Sequence, residues 1–111
     1  MSLPTDAKER KKYPIGTGVF EYFPDALAAV AYVSYVGNEQ HNPGQPLHWD
    51  RSKSSDELDS MHRHLMDRGK TDVDGALHTA KATWRLLALL QKECEASEKS
   101  AKEEIASEAN N

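Results

Sequence analysis

The order of apolar and polar residues along the chain predicts an all-α fold, a small domain of three helices. In the first helix, apolar residues recur at helical spacing from Pro24 to about Val36. Proline is favoured in the first turn of a helix, and the carboxylate of Asp25 suits the positive end of the helix dipole. Glycine follows this pattern at Gly37, so we expect the helix to end there.

The second predicted helix begins with a capping box. Ser54 is expected to be the N-cap, and Glu57, three residues later, can return a hydrogen bond to the backbone of the cap. Gly69 is expected to end the helix, because glycine readily adopts the left-handed conformation found at many helix C-termini. The apolar face between these ends comprises Leu58, Met61, His62 and Leu65.

The third predicted helix has the strongest apolar pattern in the chain. Asp72 or Asp74 is expected to be its N-cap, since an aspartate side chain accepts hydrogen bonds from the free backbone N–H groups at a helix start. A second apolar face cannot be covered by the same partner helix, so we expect the chain to form a homo-oligomer. The two faces comprise Leu77, Ala80, Trp84, Leu87 and Ala88, and Leu86, Leu89 and Leu90.

A long ordered loop is expected between the first and second helices. The segment from Gly37 to Arg51 holds two prolines and has no regular periodicity. Loops of this length in a compact domain are usually either functional or disordered. Leu47 and Trp49 favour an ordered loop, because apolar side chains within a polar segment need a surface on which to pack.

The two ends of the chain differ in composition from its middle. Residues 1–12 carry almost no apolar side chains and are expected to form a flexible N-terminal arm. Residues 13–95 are expected to form the helical domain, and residues 96–111 a charged, frayed C-terminal helical tail. Within the domain, residues 13–19 combine glycine and proline with β-favouring residues, which predicts an extended segment.

Length and charge limit the classes of function. The chain has 111 residues, enough for one domain, and its 14 Lys and Arg against 18 Asp and Glu give a net charge of -4. This balance disfavours a general nucleic-acid-binding surface. The sequence contains neither a stretch long and apolar enough to span a membrane nor the pattern of a signal peptide, so we expect a cytoplasmic protein. Cys94, the single cysteine, is expected to be inert.

One histidine of the second helix is a candidate for chemistry. His62 lies within the predicted apolar face, and Asp59 precedes it by about one helical turn. A carboxylate can fix the tautomer of an imidazole for acid–base catalysis or metal binding, but the same pair can also satisfy a buried histidine. His64 lies about 200° further round the helix, and we expect it to be solvated.

The third helix carries a cationic stripe of His78, Lys81 and Arg85. Their spacing of i, i+3 and i+7 places them on one side of the helix, where they could bind phosphate. Asp72 and Asp74 lie just upstream, and carboxylates beside such a stripe fit a metal–nucleotide site as well as ordinary helix capping. The alternative is a solvated face whose charges serve solubility.

The predicted loop adds residues that suit recognition of a purine nucleotide. Its donors and acceptors could contact a base and its phosphates, and its aromatic surface could stack on the base. Trp49 could instead cover the core. The polar candidates in and beside the loop are Glu39, His41, His48, Asp50, Arg51 and Lys53.

Five parts of the sequence stand in a recognisable order and spacing: residues 24–27, residues 37–42, Trp49, Asp59 with residues 63–64, and residues 72–78. Together they resemble the phage-associated N-terminal domain of dATP/dGTP diphosphohydrolases, over roughly residues 13–93. The resemblance implies a helical fold, a phage or prophage origin and nucleotide chemistry. In the usual pattern of that family a histidine and an asparagine stand three and seven residues after His78, where this chain has Lys81 and Arg85.

The resemblance leads to the hypothesis of a phage enzyme that handles purine nucleotides. In this hypothesis bound Mg²⁺ activates a water that releases diphosphate from dATP or dGTP. The catalytic candidates are Asp59 and His62. The candidate Mg²⁺ ligands are Glu39, Asp59, Asp72 and Asp74. The candidate nucleotide-binding residues are His41, His48, Trp49, Arg51, Lys53, Arg63, His78, Lys81 and Arg85.

A non-enzymatic alternative uses the same residues. It is a small oligomeric protein that sequesters a nucleotide, such as a nucleotide-derived defence signal, without turnover. The paired Glu-x-x-Glu and Glu-x-x-Asp helices of MazG-type pyrophosphohydrolases are not evident in the sequence, which favours this alternative. A third possibility is a structural or partner-binding helical module.

Overall fold

The chain folds almost entirely into helices in a computed structural model that describes residues 3–53 and 55–109. Over these ranges no β-strand forms, and one isolated bridge pairs Thr71 with Leu77. The predicted all-α class is therefore confirmed. The α-helices are α1 (Ala7–Arg10), α2 (Pro24–His41), α3 (Glu57–Met66) and α4 (His78–Ala109), with a π-helical turn at Gly16–Phe20 and a 3₁₀ turn at Arg51–Lys53.

α2 is longer than predicted, because it runs through Gly37 and ends at His41. A glycine inside a helix costs only about 1 kcal/mol relative to alanine, and the φ angle of Gly37 stays negative. The predicted helix end at Gly37 is therefore wrong. The following loop folds back on α2, since Asn38 donates a hydrogen bond from Nδ2 to the carbonyl oxygen of Gln45 at 2.8 Å.

α3 begins at Glu57, and its N-cap is Asp56, whose side chain makes no capping hydrogen bond. The predicted cap, Ser54, lies outside the described residues. The Glu57 side chain is only 6% exposed and accepts a hydrogen bond from Lys92 Nζ at 3.1 Å, so it links α3 to α4. Gly69 adopts the left-handed conformation that was predicted, with a φ angle of +83°, but it does not end the helix, because α3 ends at Met66 and its C-cap is Asp67.

The two aspartates before α4 stabilise a turn, and they do not cap the helix, which begins only at His78. The backbone N–H of Asp72 donates to the Ala76 carbonyl oxygen at 2.8 Å, and Asp74 Oδ1 accepts from the Ala76 N–H at 3.0 Å. Gly75, with a φ angle of +89°, closes this turn. The predicted N-cap role of Asp72 or Asp74 is therefore wrong.

The centre of the fold is α4, which packs against both α2 and α3. Large apolar side chains remain at the surface of α4, where Leu86 and Leu90 are 50% and 52% exposed. Leu77 and Leu87 of the expected first face are also exposed, at 43% and 46%, so the exposed leucines come from both predicted faces, and the homo-oligomer stays a prediction. The buried apolar side chains of the described residues are small, namely Val36, Ala76, Ala80, Ala82 and Ala88.

The N-terminal region is more helical than predicted. α1 lies within the expected flexible arm, and Asp6 caps it by accepting a hydrogen bond from the Glu9 N–H at 3.1 Å. The expected extended segment at residues 13–19 is wrong, because this stretch enters the π-helical turn instead. The domain boundaries at residues 12 and 95 stay predictions, although α4 crosses the second without a break.

In the described part of the chain, no helix has the length and apolarity needed to cross a bilayer.

Candidate functional site

A cleft of about 670 Å³ lies between α2, the loop that follows it and the first half of α4. One residue of α3 and one of the turn before α4 complete its wall. The polar and aromatic residues that line it are Ser34, Asn38, Gln40, His41, Asn42, His48, Trp49, Asp50, His64, Asp74, Lys81, Trp84 and Arg85.

Two tryptophans form the aromatic wall of this cleft. Trp49 from the loop and Trp84 from α4 meet edge to face, with 5.7 Å between their ring centroids. The guanidinium carbon of Arg51 lies 4.3 Å from the centre of the Trp49 ring, and that of Arg85 lies 5.6 Å from the Trp84 ring. Trp49 thus packs against the helical domain, as its position in a polar loop predicts.

Two buried polar atoms in the cleft wall have no hydrogen-bond partner among the described residues. One is the donor Trp49 Nε1, and the other is the acceptor Asn38 Oδ1. Asn38 is only 8% exposed. Buried polar groups are almost always hydrogen-bonded in folded proteins, so this donor and this acceptor lack the partners that such groups usually have.

A lysine joins the two aspartates before α4. Lys81 Nζ lies 2.7 Å from Asp72 Oδ2 and 2.6 Å from Asp74 Oδ2, and Gln40 also donates to Asp74 Oδ2 at 3.3 Å. The hydrogen bonds from Lys81 hold the pKa of both carboxyl groups below its usual range. Burial disfavours the Lys81 ammonium, but the two carboxylates outweigh that effect and raise its pKa.

The candidate Mg²⁺ ligands lie in different parts of the structure, and the magnesium site expected from them stays a prediction. Mg²⁺ needs near-octahedral oxygen ligands, whereas Asp72 and Asp74 already share the Lys81 ammonium. Glu39 and Asp59 are exposed on α2 and α3 and do not line the cleft. The four carboxylates that the sequence grouped as metal ligands are therefore not brought together.

Each of the two histidines of α3 lies in the environment that was expected for the other. His62 is exposed, whereas His64 is half-buried, lines the cleft and lies 2.9 Å from His78 between Nδ1 atoms. Burial lowers the pKa of His64, and the nearby His78 and Lys81 lower it further. The expected positions of His62 and His64 are therefore wrong, and the catalytic role expected for His62 with Asp59 stays a prediction at a surface away from the cleft.

The other predicted cations lie in different surroundings. Arg85 lines the cleft, and Arg51 stands at its edge, paired with Glu95. Arg63 is exposed and pairs with Asp56 at 3.1 Å, so it does not reach the cleft. His41 and His48 are exposed lining residues. The side chain of Lys53 lies outside what the structure describes.

Sequence reasoning missed Asn38 and His64 as parts of this site. The buried face of α3 is polar as well as apolar, since it places Glu57, Ser60 and His64 inward at i, i+3 and i+7. A search for polar residues at helical spacing could have found this face. Asn38 carried no such signal, because it was expected to lie in a loop and not in the last turns of α2.

One of three comparisons with known proteins found a match. The family model for the dATP/dGTP diphosphohydrolase N-terminal domain matches residues 2–102, which is most of the chain. A comparison with curated proteins and one with solved structures each found no significant match. The chain therefore belongs to the dATP/dGTP diphosphohydrolase N-terminal domain family.

Proposed function

We propose that this chain binds a purine deoxynucleotide in the cleft between α2 and α4. The observation that carries the proposal is the composition of the cleft wall, in which two tryptophans meet and the guanidinium of Arg85 lies beside one of them. Membership of a family named after dATP and dGTP supports a purine as the base.

A purine has both a polar edge and a broad aromatic face. Adenine presents a ring-nitrogen acceptor beside an amino donor, and guanine also carries acceptors and a donor. The π-face of a base in the cleft can contact the aromatic wall, and its edge can exchange hydrogen bonds with polar side chains of the lining. A pyrimidine offers the same kinds of hydrogen-bond donor and acceptor on a smaller ring system. The larger aromatic face of a purine therefore gives the expected preference for purines.

Arg85 is the residue that best suits the phosphates. Its guanidinium lies in the cleft wall beside Trp84, where it can make two parallel hydrogen bonds to one phosphate. His41 and His48 line the cleft and can add further donors. Lys81 is less available, because Asp72 and Asp74 neutralise it.

Binding without magnesium-dependent hydrolysis agrees best with these contacts. The carboxylates that would hold Mg²⁺ are occupied by Lys81, so we derive no hydrolytic step through that ion. This supports a protein that sequesters a nucleotide, including a nucleotide-derived defence signal. Release of diphosphate is the second candidate, and the family name favours it.

Calorimetry with dATP, dGTP and dCTP tests the proposal. We expect both purine nucleotides to bind, more tightly than dCTP and equally well with Mg²⁺ or with EDTA. Chromatography of the same mixtures is expected to return the nucleotides unchanged. Diphosphate release that depends on Mg²⁺ would establish the second candidate, and no heat of binding with any nucleotide would refute both.

Two arginine variants make the test specific to the cleft. R85Q is expected to weaken binding of dATP at least about tenfold, because it removes a charged hydrogen-bond donor to phosphate. R68Q is the matched control, since Arg68 is exposed, does not line the cleft and donates to the Leu65 carbonyl oxygen at 3.3 Å. Equal affinities of the two variants would contradict the role of Arg85.

A further inference from the structure

Three potential metal ligands converge beside the cleft from three parts of the fold. His64 comes from α3, Asp72 from the turn before α4 and His78 from the first position of α4. One ring nitrogen of each histidine and one carboxylate oxygen of Asp72 all lie within 4.8 Å of one another. We propose that these residues bind a transition-metal dication such as Zn²⁺.

The ligand types select the class of metal. Imidazole nitrogens suit Zn²⁺ and its first-row neighbours, whereas Mg²⁺ prefers oxygen ligands only. Two nitrogens that each lie about 2.1 Å from one Zn²⁺ in a tetrahedron are about 3.4 Å apart. The Nδ1 atoms of His64 and His78 are 2.9 Å apart, so a shift of a few tenths of an ångström admits the ion between them.

The surrounding charges do not oppose a dication. Asp72 and Asp74 contribute two negative charges and Lys81 and Arg85 two positive charges, so the charges around the two imidazoles balance before a dication binds. Lys81 keeps Asp74 as its partner at 2.6 Å when Asp72 turns an oxygen towards the metal. The Val73 N–H donates to Asp72 Oδ1 at 2.7 Å and orients that carboxylate.

Two of the three ligand side chains are partly enclosed. The side chains of His78 and Asp72 are 16% and 25% exposed, so the surrounding residues restrict their rotamers. Three protein ligands leave a tetrahedral ion at least one position for water or for an oxygen of another ligand. His64 also lines the cleft, which places this position within reach of whatever the cleft binds.

A hydrogen bond between the two imidazoles is the competing explanation of their proximity, since an N–H on one ring could donate to the other at this distance. The two explanations differ in one measurable respect. A hydrogen-bonded pair does not take up a metal ion, whereas a two-histidine and one-carboxylate site does.

Titration of the full chain with Co²⁺ alone tests the proposal. We expect visible d–d absorption that saturates at one equivalent and is abolished by Zn²⁺. H64Q, H78Q and D72N are each expected to weaken Co²⁺ binding by more than about tenfold, the loss that second-shell changes alone can cause. D67N is the control, because Asp67 is exposed, directly follows α3 and pairs with Lys70, and it should keep the wild-type spectrum.

Circular dichroism shows which variants fold. If H78Q does not fold, the Co²⁺ affinities of H64Q and D72N test the proposal. No cobalt spectrum with the wild-type chain, or a spectrum that H64Q and D72N leave unchanged, would overturn the proposal. The titration contains no nucleotide, so its outcome is independent of the function proposed for the cleft.

Discussion

Trp84 donates a hydrogen bond from its indole nitrogen to the hydroxyl of Ser34 at 2.9 Å. The contact joins α4 to α2 across the cleft that both helices line. Because Trp84 also packs against Trp49, this one bond positions the aromatic wall as well as the two helices. The core beneath it consists largely of alanines, so a single polar contact matters more here than it would above a core of large side chains.

Removing the Ser34 hydroxyl should therefore destabilise the fold. S34A leaves the half-buried indole N–H without its partner, which costs about 1 to 3 kcal/mol in the free energy of unfolding. Urea denaturation of S34A, W84F and the double variant measures the effect. The stability losses of the two single variants should add up to more than the loss of the double variant, because each single variant breaks the same hydrogen bond. Strict additivity would mean that the hydrogen bond contributes nothing to the free energy of unfolding.

The contribution of Lys81 to stability should depend on pH. The lowered pKa of Asp72 and Asp74 means that both stay charged in the folded protein, so their pairing with Lys81 stabilises it above about pH 5. This stability is lost as the pH falls through the lowered pKa values. The melting temperature of wild type should exceed that of K81M most near neutral pH, and the gap should narrow towards about pH 3.

K81M is suitable because methionine keeps the length of the side chain and removes its charge. The contrary result would be a gap in melting temperature that does not change with pH. That result would mean that Lys81 stabilises the fold by packing and not by pairing with the two aspartates.

His64 should make the protein less stable in mild acid. Its pKa is lowered by burial first and then by neighbouring positive charge, so the unfolded chain binds a proton more readily than the folded one. The stability that this difference gives is present above about pH 6.5 and is lost as the pH falls below that value. Between about pH 7.5 and 5.5, wild type should lose more stability than H64Q, and parallel losses would contradict the argument.

The aromatic wall gives a prediction about the ligand. W49A should weaken purine nucleotide binding by about 1 to 3 kcal/mol, the usual contribution of base–aromatic stacking. W49F keeps an aromatic face on a smaller ring, so its affinity should lie between those of W49A and wild type. Calorimetry with dGTP measures both, and W49A binding as tightly as wild type would contradict a contact between the base and Trp49.

The sequence predicted the helical class and the approximate positions of the three long helices, because their apolar spacing extends over several turns. The sequence predicted the ends of these helices less reliably. Gly37 was predicted to end α2, but a single glycine weakens a helix without ending it. The hydrogen bond between Asn38 and the loop that folds back on α2 stabilises the last turns of the helix.

The candidate site was predicted in part. Trp49, His48 and Arg85 were selected for their chemical types and do line the cleft. The pairing of Lys81 with Asp72 and Asp74 was not foreseen, because residues 72 and 74 were assigned to a helix cap, and the turn that directs them to Lys81 depends on tertiary contacts. His64 was misplaced because the inward face of α3 includes polar residues, which an apolar pattern does not reveal.

Gly37 lies in the wall of the cleft, and a methyl group built on it would meet no atom within 4 Å. Alanine at this position should strengthen α2 by about 0.5 to 1 kcal/mol, since glycine is a poor residue for a helix interior. The same methyl group would occupy space that a ligand could use. Replacing one hydrogen atom of Gly37 by a methyl group would thus stabilise the helix and reduce the volume of the cleft. A variant selected only for thermal stability would be expected to have less space for its ligand.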